Sequence, residues 1–287
     1  MIDKLAIIGV GLIGASLSLA LRQAGQVGQV FGYGRSQENL DKGIELGVLD
    51  NYGDSIAATI EGADVVVVAV PLGAMQSVFT EIDATASSEM VITDVGSAKG
   101  SVVTAAQAAL IKSLHRFVPG HPIAGTEKSG VEAGFADLYQ NRRVILTPLD
   151  ETDTSATTII DQMWCDCGAS VEYLGVAHHD RVLAATSHLP HMLAYALVHH
   201  LCGLNEHEEI LRYAAGGFRD FTRIASSDPV MWRDVCLANG DALVGLIEQY
   251  QGELEQIAVA IKAGNAEELL RLFGRAKSER DSLIGNC

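Results

Sequence analysis

The feature that most constrains the fold is a glycine turn between two apolar patterns. Residues 4–9 hold the run LAIIG, too short for a helix and bounded by glycine, while residues 12–24 repeat apolar side chains at helical spacing. Between them lies Gly9-Val10-Gly11-Leu12-Ile13-Gly14, a GxGxxG spacing that closes a strand and opens a helix. In that context Gly9 allows a tight turn and Gly11 lets a pyrophosphate approach the helix N-terminus at Leu12 and Ile13. Gly14 permits close packing of helix on strand. The bland alternative is a tight turn and nothing more. The surrounding pattern favours a nicotinamide dinucleotide site, which also takes in Val70 and Pro71 after a later strand.

That later pattern repeats the first unit. Residues 30–33 read as a strand, 37–46 as a helix, 64–70 (DVVVVAV) as a buried parallel strand and 72–82 as a helix. Further strands are expected at 90–94, 116–118, 143–146 and 170–174, with helices at 98–111 and 154–167. From 177 onward only helices are expected, at 177–201, 228–263 and 266–283, with a kink at Pro190 because proline lacks an N–H. The predicted fold class is α/β: a Rossmann-type dinucleotide-binding domain over residues 1–176, then an all-helical domain over 177–287. A helical domain with so much apolar periodicity, and no third layer to cover it, implies a homodimer formed through helices.

The 287 residues carry 20 Lys and Arg against 36 Asp and Glu, a net charge of −16 that repels nucleic acid and anionic lipid. An anionic small molecule would need a local basic pocket made against that field. Cys165, Cys167, Cys202, Cys236 and Cys287 form no metal or disulfide pattern, which fits a reducing cytoplasm. No leader is legible at the start, and no apolar run approaches the roughly 20 residues of a membrane helix.

Several segments carry chemistry. An NAD site usually places Asp or Glu at the end of the second strand; here that place is Gly34, followed by Arg35 and Ser36. A guanidinium beside a hydroxyl suits a 2′-phosphate, so the reading leans to NADP, the alternative being a solvated loop arginine and either cofactor. Ser97, in TDVGSAKG, follows a strand and serves as helix N-cap, site hydroxyl or both. His121, extended by the proline after it, lies past another strand and suits proton transfer near neutral pH, unless it is an ordinary loop histidine. His188 and His191 are spaced to share a helix face near His178, His179, His199 and His200. Zinc is considered and set aside because no H-E-x-x-H or completing ligand is present. Arg219 and Arg223, with Trp232 and Arg233 soon after, supply the basic pocket, or else pair with Asp220, Asp228 or Asp234.

Together GVGLIGAS, TDVGSAKG, GHPIAGTEKSG, ATSHLPH and GGFRDFTRIASSDPVMWRD resemble the prephenate/arogenate (cyclohexadienyl) dehydrogenases of tyrosine biosynthesis, almost end to end. The resemblance implies oxidative decarboxylation of a cyclohexadienyl substrate by hydride transfer to a nicotinamide. It implies that His121 is the catalytic partner of the substrate 4-hydroxyl, oriented by Ser97. It further implies that Arg223 binds a carboxylate, that His191 contacts substrate, and that His188 and Trp232 support the pocket. Gly216 and Gly217 lie where the family reaches the other subunit's site. Tyrosine feedback is expected to act at the active site, since no mutase or ACT domain is legible. The rivals are a β-hydroxyacid dehydrogenase or imine reductase, which usually relies on a lysine, and a non-catalytic dinucleotide sensor that would need only the glycine turn.

Overall fold

In the computed structural model, which describes residues 1–284, the chain divides into two compact units, Met1–Gly240 and the part from Asp241 onward. The first unit begins with β1 (Ile2–Ile8), α1 (Leu12–Gln23), β2 (Val27–Tyr33), α2 (Gln37–Glu45), β3 (Asn51–Tyr52) and α3 (Ile56–Ile60). It continues through β4 (Val65–Val68), α4 (Met75–Thr85), β5 (Val91–Asp94), α5 (Lys99–Ala109) and β6 (Phe117–Val118). These strands form one parallel sheet in the order β3-β2-β1-β4-β5-β6, the doubly wound dinucleotide-binding order whose switch point falls between β1 and β4.

Alternation within the strands explains why both faces are covered. Leu5, Ile7, Val65 and Val67 pack into one apolar cluster, and their neighbours Ala6, Ile8, Val66 and Val68 pack into the other. Strands buried on both sides read as unbroken apolar runs, as the four valines of β4 do.

A second sheet holds β7 (Gly120–Pro122), β8 (Arg143–Leu146) and β9 (Ser170–Tyr173), with α6 (Thr154–Asp166) between the last two. The sequence reading did not anticipate β3 or β7. The first is two residues long, and the second lies between Pro119 and its own terminal Pro122, where prolines mask a strand pattern. β7 runs antiparallel to β8, pairing His121 with Ile145.

The rest of the first unit is helical: α7 (Val176–Leu183), a π-helical turn (Ala184–His188), α8 (Leu189–Cys202), α9 (His207–Arg212), α10 (Gly216–Thr222) and α11 (Pro229–Ala238). The irregularity expected at Pro190 is found one turn upstream. There the N–H of Leu189 reaches back to Ala184 O, a bond one residue longer than the α-helical one. The single helix expected over 228–263 is interrupted at Asn239 (φ −118°, ψ 34°), whose side chain is engaged with α7 and the π turn. The second unit comprises α12 (Gly240–Lys262), which begins at the division, and α13 (Ala266–Ile284), both amphipathic. They expose Leu254, Val259, Ile261, Leu270 and Phe273. Cys165, Cys167, Cys202 and Cys236 are free thiols, and Cys287 lies outside the described residues. Among the described residues no helix is long and apolar enough to cross a membrane.

Candidate active site

Each glycine of the turn meets a different constraint. Gly9 has φ 99°, and a Cβ there would lie 2.4 Å from Ala69 O, so only glycine fits. A Cβ on Gly14 would press on Ile7 Cγ2 at 2.7 Å and Gly9 O at 2.9 Å, which fixes how closely α1 lies on β1. A Cβ on Gly11 would meet nothing within 4 Å. That space opens at the N-terminus of α1, which has no side-chain cap and no acidic residue in its first turn. Open space over uncapped amides suits a pyrophosphate, so Gly11, Leu12 and Ile13 fit a dinucleotide. Val70, half-buried, and Pro71, exposed, follow β4 on the same sheet edge.

Arg35 is exposed and has no ionic partner among the described residues. Ser36 caps α2, its hydroxyl accepting from Asn39 N at 3.2 Å. A side chain on Gly34 would make only ordinary contact with Leu40, at 3.6 Å, so packing does not forbid an acidic residue there.

Asp94 gathers the next part of the site. Its carboxylate, fully buried at the end of β5, accepts from Gly96 N at 2.7 Å and Gly120 N at 3.1 Å and pairs with the fully buried Lys99. Lys99 Nζ also donates to Gly120 O. Ser97 and His121 thus each follow, by one residue, an amide bound to the same carboxylate. The Ser97 hydroxyl, half-buried, caps no helix, since the N-cap residue of α5 is Ala98. The capping alternative is not realised, because Asp180 of α7 takes that place. Its two oxygens accept from Lys99 N and Gly100 N, both at 2.8 Å.

His121 Nδ1 lies 2.9 Å from His179 Nε2, and His179 Nδ1 lies 2.8 Å from Asp180 Oδ1. Burial, reinforced by His179, Lys99 and His188, holds the His121 pKa well below the usual histidine range. Burial pushes the Asp180 carboxyl up, but hydrogen bonds from His179 and from the Gly100 and Lys99 amides outweigh it and leave the pKa low.

His188 is fully buried on the π turn, and its Nδ1 accepts from Asn239 Nδ2 at 3.2 Å. Burial pushes its pKa down to about 4. His191 stacks on Trp232, with ring centroids 3.7 Å apart, and its Nδ1–H donates to Ser187 O at 2.8 Å, leaving Nε2 as an acceptor. Burial, together with the nearby Arg223, lowers its pKa as well. Trp232 is buried, and its ring N–H finds no acceptor among the described residues. Arg223, 61% exposed, pairs with Glu127 at 3.1 Å, whereas Arg233 pairs with its neighbour Asp234. The pairing of Arg219 and Arg223 with Asp220, Asp228 or Asp234, weighed against a binding role, is not found among the described residues: Arg223 takes Glu127 instead, and Arg219 has no ion pair there. Gly217 lies exposed in the first turn of α10. Among the described residues no group of three or more His, Cys, Asp or Glu is arranged around a common metal position.

The sequence reading did not single out Asp94, Asp180 or Asn239, and it placed His179 only in a histidine cluster considered for zinc. The dipeptide His179-Asp180 was the one local signal, since adjacent imidazole and carboxylate invite a hydrogen-bonded couple.

A dinucleotide cradle and a depressed-pKa histidine within one α/β unit are the parts of a nicotinamide-dependent dehydrogenase, and similarity narrows that class. Residues 17–173 match the prephenate dehydrogenase nucleotide-binding domain, and 176–275 match the prephenate dehydrogenase dimerization domain. A cyclohexadienyl dehydrogenase of Zymomonas mobilis is 37% identical over 97% of this chain and 95% of that protein. A prephenate dehydrogenase of Bacillus subtilis is 37% identical over 99% of this chain and 76% of its own length. A solved prephenate dehydrogenase from Aquifex aeolicus, in complex with hydroxyphenyl propionate and NAD+, aligns with a TM-score of 0.92 at 37% identity over 99% of both chains. The chain belongs to the prephenate dehydrogenase family of NAD(P)-dependent oxidoreductases.

Proposed function

We propose that this protein oxidatively decarboxylates prephenate, arogenate or both, giving 4-hydroxyphenylpyruvate or tyrosine, with His121 as the base on the substrate 4-hydroxyl. The observation that carries the assignment is a buried imidazole of depressed pKa on β7, tied through Asp94 to the turn bearing Ser97. A neutral imidazole accepts the hydroxyl proton and raises electron density at the carbon from which hydride departs. Ser97, its hydroxyl uncommitted to a helix cap, orients that pair. The bound nicotinamide dinucleotide, held by Gly9, Gly11, Leu12, Ile13 and Gly14 with Val70 and Pro71 beside it, supplies the hydride acceptor. Carbon dioxide leaves as the ring aromatises, and the phenolate oxygen takes the proton back, so turnover needs no net proton.

Arg223 binds a substrate carboxylate, and the exposed pair with Glu127 supports this, because such a pair is worth little and exchanges readily for another carboxylate. His191 contacts substrate from its stack on Trp232, with His188 behind it. The uncommitted Arg35 and the absence of a carboxylate at Gly34 favour NADP. The exposed apolar side chains of α12 and α13 favour a homodimer, in which Gly217 serves the partner's site. Initial rates of reduced-nicotinamide formation with prephenate and arogenate, each crossed against NAD and NADP, test the reading. Activity with either substrate is the expected result. A folded, dinucleotide-binding protein that is silent in all four combinations overturns it.

A further inference from the structure

We propose that His179 and Asp180 are positioning residues that fix the tautomer of His121, leaving its Nε2 bare as the proton acceptor. The proposal rests on the dehydrogenase reading above and deepens it. Asp180 bonds to the Nδ1 side of His179, and an ionised carboxylate only accepts, so that nitrogen carries the proton. A neutral His179 then offers a bare Nε2, which lies 2.9 Å from His121 Nδ1. His121 must donate from Nδ1, and its other ring nitrogen is left unprotonated.

The couple is built to hold that state. His179 is fully buried, and the two rings meet edge to face. Asp180 cannot rotate freely, because both of its oxygens also accept amides at the start of α5. Asn239 Nδ2 donates to the Asp180 backbone carbonyl at 2.8 Å, securing α7 from the opposite side. An asparagine at 180 could not serve. With its amide toward His179 it would face the N–H of Lys99, and with its amide reversed it would face the N–H of Gly100.

The groups around His121 favour its neutral ring. His179 of α7, Lys99 of α5 and His188 of the π turn all oppose a second proton on the ring, and Asp94 of β5 is paired with that same lysine. Asp180 is the carboxylate that keeps the proton on His179 Nδ1 and so leaves His179 Nε2 as the acceptor for His121. Removing the couple frees the tautomer of His121. No proton need leave along the chain, since the phenolate reclaims it, and a sealed His179 is consistent with that cycle.

The test begins with the wild-type enzyme in the substrate and cofactor grid, whose failure would count against the dehydrogenase reading itself. With activity established, His179→Leu is expected to lower kcat about 10²-fold or more, with KM little changed. His179→Gln, whose amide oxygen can still accept from His121, is expected to recover part of the loss. A purely structural role would instead lower Tm and give no recovery of kcat in His179→Gln. Wild-type kcat in His179→Leu overturns the proposal. If that variant does not fold, ¹⁵N NMR of the wild-type histidine rings decides: protons on Nδ1 of both His121 and His179 are expected, and a proton on His121 Nε2 in the neutral ring refutes it.

Discussion

Alanine at Gly14 and alanine at Gly11 separate the two tasks of the glycine turn. At Gly14 the added Cβ lies 2.7 Å from Ile7 Cγ2 and 2.9 Å from Gly9 O, the first a core side chain with no exposure and the second backbone. Neither can step aside, so α1 must lift from β1. Overpacking of this kind costs about 1–3 kcal/mol, and the helix propensity of alanine returns up to about 1 kcal/mol of it. The net loss of about 1–2 kcal/mol lowers Tm by roughly 2–8 °C for a unit of this size.

At Gly11 the same methyl meets nothing within 4 Å, and φ −106°, ψ −163° is extended backbone that alanine adopts freely. Stability should change by less than about 0.5 kcal/mol. The methyl does occupy the approach to the Leu12 and Ile13 amides. Losing one charge-assisted hydrogen bond there, about 1.5–3 kcal/mol, weakens dinucleotide binding roughly 10- to 100-fold. Thermal melts and calorimetric titration with NAD and NADP measure both quantities for each variant. A Gly11→Ala protein that binds dinucleotide as tightly as wild type refutes the cradle, and an unchanged Tm in Gly14→Ala refutes the packing argument.

Three further expectations follow from the site. Arg223→Ala should raise KM for the cyclohexadienyl substrate with kcat much less affected, because the interaction lost is made in both ground and transition states; steady-state kinetics decide, and a fall in kcat alone would contradict it. Gly34→Asp, for which there is room beside Leu40, should shift preference toward NAD by repelling the 2′-phosphate; an unchanged ratio of kcat/KM values would show that position 34 does not read the ribose. Buried His188, with a pKa near 4 against an ordinary 6.5, binds its proton more readily in the unfolded chain, so its contribution is complete above pH 6.5 and is lost as pH falls toward 4. The loss amounts to roughly 3 kcal/mol across that window, and denaturant melts should show a shallower acid slope in His188→Gln than in wild type.

What the sequence disclosed depended on how local the governing physics is. The turn at residues 9–14, the strand of four valines and the parallel alternation are written in adjacent residues, because a strand buried on both faces and a phosphate-binding helix start each have a short-range pattern. β7 escaped notice because its three residues pair with β8, over twenty positions away, and prolines mask them. The break at Asn239 was equally hidden, since what ends α11 there is an amide engaged with Asp180 and His188, more than fifty residues earlier.

The same distinction explains why Ser97 and His121 were legible while the groups that hold them were not. A hydroxyl after a strand and a histidine before a proline carry local signatures. Asp94 and Asp180 act across the fold: one joins the starts of two loops, and the other joins α7 to α5. Desolvating Asp94 and Lys99 offsets much of their mutual attraction, so that pair is a poor source of net stability, yet removing either partner would strand a buried charge. Its consequence is geometric. Lys99 Nζ and Asp94 together grip both the N–H and the carbonyl of Gly120, which leaves the residue after it, His121, little freedom to turn away from His179. The tautomer proposed for His121 therefore rests on two carboxylates, Asp94 and Asp180, and a substitution at either should register in kcat as well as in stability.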